Sequence, residues 1–149
     1  MTYGTNKRDA IVELVKSVNS SVSDGQGGHL KLCDGIGMQS YIGGYGQQSG
    51  CMNDNDITAV KNAIEKFASI GVEVHVTELA VRNYERSDER EAEHGAFYKK
   101  LMQTYVDINK EAKAKGKTGP ITSLSIWGLF DAPYLACLLY TSDAADEAR

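Results

Sequence analysis

The chain has 149 residues, 42% of them hydrophobic and 24% charged, with a formal net charge of −4. That length suffices for one modest domain with a real core, and the acidic balance argues against a nucleic-acid or anionic-membrane partner, which selects a basic face. No apolar run approaches the ~20 residues of a membrane span, and the first residues, Met-Thr-Tyr-Gly-Thr-Asn-Lys-Arg, lack the apolar core of a signal peptide.

Cys33, Cys51 and Cys137 have no CxxC spacing and no clustered histidines, so no zinc or redox motif is present. Their odd number excludes a complete disulfide framework within the chain.

The first predicted element is a helix over Lys7 to Asn19. Asn6 and Asp9 form a capping pattern, and Ile11, Leu14, Val15 and Val18 recur at helical spacing. Ser20 to Gly28 is rich in Ser, Gly and Asp and reads as a loop. Leu30 to Tyr41 reads as a strand, with Cys33 a small buried hydrophobe. Gly35, Gly37, Gln39 and Tyr41 share one face of it, and Ile36 and Met38 the other. Two glycines inside a strand mark a close approach. Ile42 to Asn53 is a glycine-rich loop whose tyrosine either stacks on a ligand or simply folds back on the surface.

A second helix follows. Asp54 or Asn55 caps it, Ile57, Val60, Ile64 and Phe67 form its stripe, and Gly71 ends it. Val72 onward alternates as a strand that finishes in a carboxylate, Glu78, and runs into a polar loop as far as Tyr84. Alternation places Val74, Val76 and Glu78 on one face and turns His75 to the other, toward a helix layer. A third helix starts near Ser87 with Asp88, Glu89 and Glu91 in its first turn. It buries Phe97, Leu101, Tyr105, Ile108 and Ala112, and closes with Lys110, Lys113 and Lys115 before Gly116. That charge order complements the helix dipole. Pro120 leads into a last strand, Ile121 to Leu129, with Ser123, Ser125 and Trp127 on one face.

Helices that alternate with strands in this order give an α/β fold with parallel strands and crossover helices. Such folds bind ligands at the carboxyl ends of their strands. The residues at those ends are Gln39 with Tyr41, Glu78, and Trp127. Each has an ordinary reading: a lone Glu is most often an ion-pair partner, Gln39 a bridge between backbone groups, Trp127 a core residue. Together, an amide, a carboxylate and an indole suit a sugar, whose hydroxyls take hydrogen bonds and whose ring face packs on an aromatic.

Three motifs in order, Asp34-Gly-Ile-Gly-Met-Gln-Ser40, Val76-Thr-Glu-Leu79 and Ile126-Trp-Gly-Leu-Phe-Asp131, resemble the last three strands of family 10 glycoside hydrolases, the endo-1,4-β-xylanases. The resemblance runs from about Lys7 to Leu135. It implies the C-terminal part of a TIM (β/α)8 barrel, from about helix five to strand eight. It makes Glu78 the catalytic nucleophile, and Gln39, Tyr41 and Trp127 substrate-binding residues around the cleaved sugar. It also implies a retaining mechanism that acts on xylan or xylo-oligosaccharide, no metal or organic cofactor, and secretion of the intact enzyme.

Three departures qualify the resemblance. Tyr41 stands where the family usually has His, and Ala80 where it usually has Asp. Either the two changes are coordinated, with the Tyr41 hydroxyl taking over a hydrogen bond to Glu78, or the site is loosened. The first is favoured, since losing one partner alone would leave a buried polar group unpaired. Finally, the family's acid/base motif at the end of strand four is absent. The expectation is therefore a fragment, inactive by itself. Residues 1–136 are expected to be a partial catalytic domain. Residues 137–149, which begin Cys-Leu-Leu-Tyr-Thr-Ser-Asp-Ala-Ala-Asp-Glu, look like a translated sequencing adapter, the alternative being a real helical tail. The alternative to an enzyme is a non-catalytic barrel that binds xylan or xylo-oligosaccharide.

Overall fold

The computed structural model describes residues 4–42, 52–81, 83 and 87–127. The loop around Tyr45 and Cys51, Tyr84, the end of the motif through Asp131 and the expected tail from Cys137 lie outside the described residues.

Among the described residues, three helices alternate with parallel strands, the order the sequence predicts. They are α1 (Thr5–Asn19), β1 (Gly35–Met38), β2 (Tyr41–Ile42), α2 (Asp54–Ala68), β3 (Glu73–Val81), α3 (Asp88–Ala114) and β4 (Ile121–Ile126). β3 is the central strand. β1 and then β2 pair along one of its edges and β4 along the other, all parallel.

The helices pack on one face of this sheet. From α1 come Val12 and Val15, from α2 Ile57, Val60, Ala63, Ile64 and Phe67, and from α3 Phe97, Leu101, Tyr105 and Ile108. The sheet contributes Ile36, Met38, Ile42, Val74, Val76, Leu79 and Val81. Burying a side chain of this size stabilises by roughly 1.5–3 kcal/mol each.

Several local expectations are corrected. α1 begins at Thr5 with Gly4 as N-cap and no side-chain capping bond, and it buries Val12 while Leu14 is 63% exposed. The apolar stripe lies one residue round from the expected one. α2 is capped by Asn53, whose side chain accepts from the Asp56 N–H at 3.1 Å, rather than by Asp54 or Asn55. The first strand is shorter than the apolar run Leu30 to Tyr41, because Asn19 takes up the backbone ahead of it. Its carboxamide accepts from the Leu32 and Cys33 N–H groups and donates to Cys33 O. Cys33 is half-buried rather than enclosed. Asn109 does the same for β4, accepting from Ile121 N–H at 3.0 Å and donating to Ile121 O at 2.8 Å. Helices α1 and α3 thus each use one Asn to fix the chain that returns to the sheet. α2 needs none, since only a short turn through Gly71, at φ 77°, separates it from β3.

The largest correction concerns β3. Val72, Val74 and Val76 are its helix-facing row, but the row resumes at Leu79 and Val81. Glu78 therefore does not share the face of Val74 and Val76. His75, expected against the helices, stands on the open face instead. It is exposed, with Nε2 3.4 Å from Glu73 Oε2. The physical reason is that the valine row of a crossover-covered strand packs on helices, so the residue between two valines must point the other way.

Candidate active site

The pairing registers explain how Glu78 leaves the apolar row. Val76 pairs with Leu124 and Leu79 with Ile126, so β3 spends one more residue than β4 over this stretch. On the other edge Met38 pairs with Val76 and Tyr41 with Ala80, and β3 again spends one more residue. Both neighbours meet the same extra residue, a bulge at Thr77–Glu78. A bulge re-aims the side chains it carries, and such features gather near active sites. Here it lets both His75 and Glu78 face away from the helices while Leu79 and Val81 return to the core.

On the opposing strand the matching irregularity is Ser40. It adopts a left-handed backbone with φ 64° and is 1% exposed. A non-glycine residue rarely sits there. Its hydroxyl bonds Met38 O at 3.3 Å, and its carbonyl accepts the Ala80 N–H at 3.3 Å. Ser40 thereby separates β1 from β2 and sets Tyr41 level with the end of β3.

Glu78 is half-buried at the carboxyl end of this central strand. Its Oε2 accepts a hydrogen bond from the Tyr41 hydroxyl. Gln39 is exposed on the same open face as Gly35, Gly37 and Tyr41. Trp127 follows β4 directly, 50% exposed, and its backbone N–H donates to Leu79 O at 3.0 Å. Ile126 pairs with the helix-facing Leu79, so Trp127 falls on the open face with Glu78. The expected site residues are thus at one end of one sheet, with a direct contact between Tyr41 and Glu78.

The floor is made by glycine. A Cβ on Gly37 would stand 3.3 Å from Thr77 Cγ2. Only glycine leaves full room for the bulge.

Sequence reasoning missed the residues that hold the exit of β3. Tyr98 Oη accepts the Val81 N–H at 3.1 Å, and His94 Nε2 lies 2.8 Å from Val81 O. A carbonyl only accepts, so the proton is on Nε2. The two rings pack edge to face, 5.0 Å apart at 76°. The His94/Tyr98 spacing of four on α3 was the available signal. Beneath Ser40 lies Tyr105, whose phenol faces the Ser40 hydroxyl without closing a hydrogen bond of ordinary geometry. Burial pushes its pKa up to about 12.

Among the described residues no group of three His, Cys, Asp or Glu stands close enough to hold a metal ion, and no helix is long and apolar enough to cross a membrane. A groove lined by Glu65, Glu73, Glu111 and Lys115 sits at the amino ends of β3 and β4, the opposite end of the strands from Glu78.

The model of Glycosyl hydrolase family 10 matches residues 1–134. The chain belongs to that family. It is 36% identical to endo-1,4-beta-xylanase B of Butyrivibrio fibrisolvens over 101 residues, which is 68% of this chain and 14% of that protein. It is 32% identical to endo-1,4-beta-xylanase Y of Acetivibrio thermocellus over 133 residues, 87% of this chain and 10% of that protein. The chain thus spans a small part of these curated relatives.

Among solved structures, the intracellular xylanase TsXylA of Thermoanaerobacterium saccharolyticum superposes with a TM-score of 0.55 at 32% identity, covering 82% of this chain and 30% of that one. A mutant of the same enzyme was solved in complex with xylotetraose. The family 10 fold is a TIM barrel. The parallel strands and helices described above are part of one, with Glu78 at the carboxyl end of its strand, where TIM-barrel enzymes carry their sites.

Proposed function

We propose that this family 10 chain is the C-terminal part of a retaining endo-1,4-β-xylanase domain, in which Glu78 is the nucleophile. One observation carries the reading: a half-buried carboxylate at the carboxyl end of the central strand, held by a phenol, with Gln39 and Trp127 on the same open face. The relatives named as xylanases support xylan as the substrate.

In this mechanism the Glu78 carboxylate attacks the anomeric carbon of a xylosyl unit. A second carboxyl group, supplied from outside this chain, protonates the departing glycosidic oxygen. The C1–O bond to the leaving sugar breaks as the C1–O bond to Glu78 forms. That same second group then takes a proton from water, and water displaces Glu78 with the original configuration restored. Retaining pairs stand about 5–5.5 Å apart, one ionised and one protonated at the outset. Gln39 offers an amide to sugar hydroxyls, and Trp127 an apolar face to the ring.

The test uses the intact domain and its Glu78→Ala variant. Wild type should cleave β-1,4-xylan. The variant should bind xylo-oligosaccharide without cleaving it, and added azide should restore turnover of an activated aryl β-xyloside as an α-xylosyl azide. A wild-type domain that binds xylan but cleaves no β-1,4-xylan or β-1,4-glucan would make this a binding barrel instead.

A further inference from the structure

Tyr41 and Ala80 are cross-strand partners. Tyr41 of β2 pairs with Ala80 of β3, and Ala80 lies two residues beyond Glu78. The Ala80 N–H donates to Ser40 O, which fixes the backbone that launches the Tyr41 side chain. From there the ring reaches back along β3 until its hydroxyl donates to Glu78 Oε2. Adjacent strands stand about 4.8 Å apart, so the side chains of paired residues compete for the same space. A tyrosine can lean across to Glu78 only if its partner is small. Alanine is the smallest side chain that keeps ordinary strand backbone.

We infer that Tyr41 and Ala80 work as one positioning pair, in which the phenol holds the Glu78 carboxylate and Ala80 supplies the clearance for the ring. The inference rests on reading Glu78 as the nucleophile for its catalytic consequence, but the pairing itself does not. Donation to Oε2 fixes the carboxylate torsion and leaves Oε1 as the attacking oxygen. Oε2 then becomes the carbonyl oxygen of the glycosyl ester and keeps the phenol as donor. When water displaces the ester, the phenol stabilises the charge that returns to the carboxylate. No proton leaves Tyr41 at any stage. Its role is strongest in the second step, where Glu78 is the leaving group.

Among the described residues, Tyr41 is the titratable side chain that meets Glu78 from β2. β1 (Gly-Ile-Gly-Met) and β4 (Ile-Thr-Ser-Leu-Ser-Ile) carry none, and β3 itself has Glu73 and His75 further back on the open face. A change in turnover on altering Tyr41 therefore reports this contact.

The experiment compares Tyr41→Phe, Ala80→Val and the double variant in the intact domain. With an aryl β-xyloside bearing a good leaving group, Tyr41→Phe should lower kcat about tenfold, with a smaller fall in kcat/KM and a burst of released phenol. Ala80→Val should do the same by crowding the ring away. The double variant should be no worse than either single one, because both remove the same hydrogen bond.

Thermal midpoints of all three variants should stay close to wild type, and the NMR resonances of the Tyr41 ring should move in Ala80→Val and in Glu78→Ala, which each take the carboxylate away from the phenol. Unchanged kcat in Tyr41→Phe would overturn the pair, as would fully additive losses in the double variant. If wild type proves inactive while the Tyr41 ring resonances move in Ala80→Val and Glu78→Ala, the pair stands and the nucleophile reading falls.

Discussion

Between Val76 and Leu79 on the β4 side, and between Val76 and Ala80 on the side of β1 and β2, β3 takes one residue more than its neighbours, and Glu78 lies inside that slip. The extra residue lets a carboxylate leave an apolar row without breaking the row, since Leu79 and Val81 go straight back to the core. Room for it comes from Gly37, where a Cβ would press on Thr77 at 3.3 Å, whereas at Gly35 the nearest neighbour is at an ordinary 3.6 Å. Gly37→Ala should therefore shift the bulge by a few tenths of an ångström and, on the proposed function, lower kcat of the intact domain about three- to tenfold. Gly35→Ala should leave kcat within about twofold and raise the melting temperature slightly, by removing backbone freedom from the unfolded chain. Steady-state kinetics and thermal unfolding of the intact domain check both. Equal effects at the two glycines would discount the bulge.

The exit of β3 depends on α3. Val81 is buried, and its N–H and C=O are met by Tyr98 and His94. Tyr98→Phe removes the acceptor of a buried N–H and should destabilise by about 1–3 kcal/mol. His94→Ala should act similarly through the carbonyl. Their rings touch, so the double variant should lose less than the sum. Acidification should not break the His94 bond, because imidazolium still donates through Nε2. Denaturant unfolding of the three variants gives the energies, and amide exchange at Val81 in Tyr98→Phe locates the loss.

Some of this was legible in the sequence and some was not. α3 was written plainly: Ser87 caps it, accepting from the Arg90 N–H, acidic residues fill the first turn, and Phe97, Leu101, Tyr105 and Ile108 are buried as their spacing predicts. The alternation of Gly35 to Ile42 also held, with Gln39 and Tyr41 on the open face. The bulge was illegible, since counting by twos assumes that neighbouring strands keep step. So was the left-handed Ser40, which sequence signals assign to glycine or asparagine. Asn109 and Asn19 bond across twelve or more residues of chain. The Tyr41–Glu78 contact spans 37 residues and was reached through the family's substitution pattern rather than through periodicity.

Tyr105 should reveal itself in alkali. Its phenol pKa is raised by burial from 10.0 to about 12. The folded state therefore holds the proton more tightly than the unfolded one. The associated stability is intact below pH 10 and declines as pH rises from 10 toward 12, by about 2–3 kcal/mol in all. Tyr105→Phe cannot ionise and should escape that loss. At neutral pH it should be neutral or mildly stabilising, since the phenol closes no hydrogen bond of ordinary geometry. Unfolding free energies of wild type and Tyr105→Phe at pH 7, 10 and 11.5 test this; parallel curves would mean that the buried phenol does not titrate as the fold implies.

Ile126 gives a prediction whose sign depends on context. It pairs with the fully buried Leu79 and so points to the helix side of the sheet, yet it is 60% exposed, and neighbouring Leu124 is 36% exposed. Among the described residues no strand pairs with the outer edge of β4 and no helix covers Ile126. In a closed TIM barrel that position meets the helix layer, and strands buried on both faces are apolar for that reason. The chain by itself should therefore associate through β4, and Ile126→Lys should raise its soluble fraction by placing a charge on an open edge. In the intact domain the same lysine would be driven into the core beside Leu79, where an unpaired polar group costs several kcal/mol. Thermal midpoints there should fall steeply. Light scattering of the isolated chain and calorimetry of the intact domain decide it. Opposite signs mean that β4 is completed by chain beyond these residues. A stable, active Ile126→Lys domain would mean that β4 remains an outer strand in the whole protein.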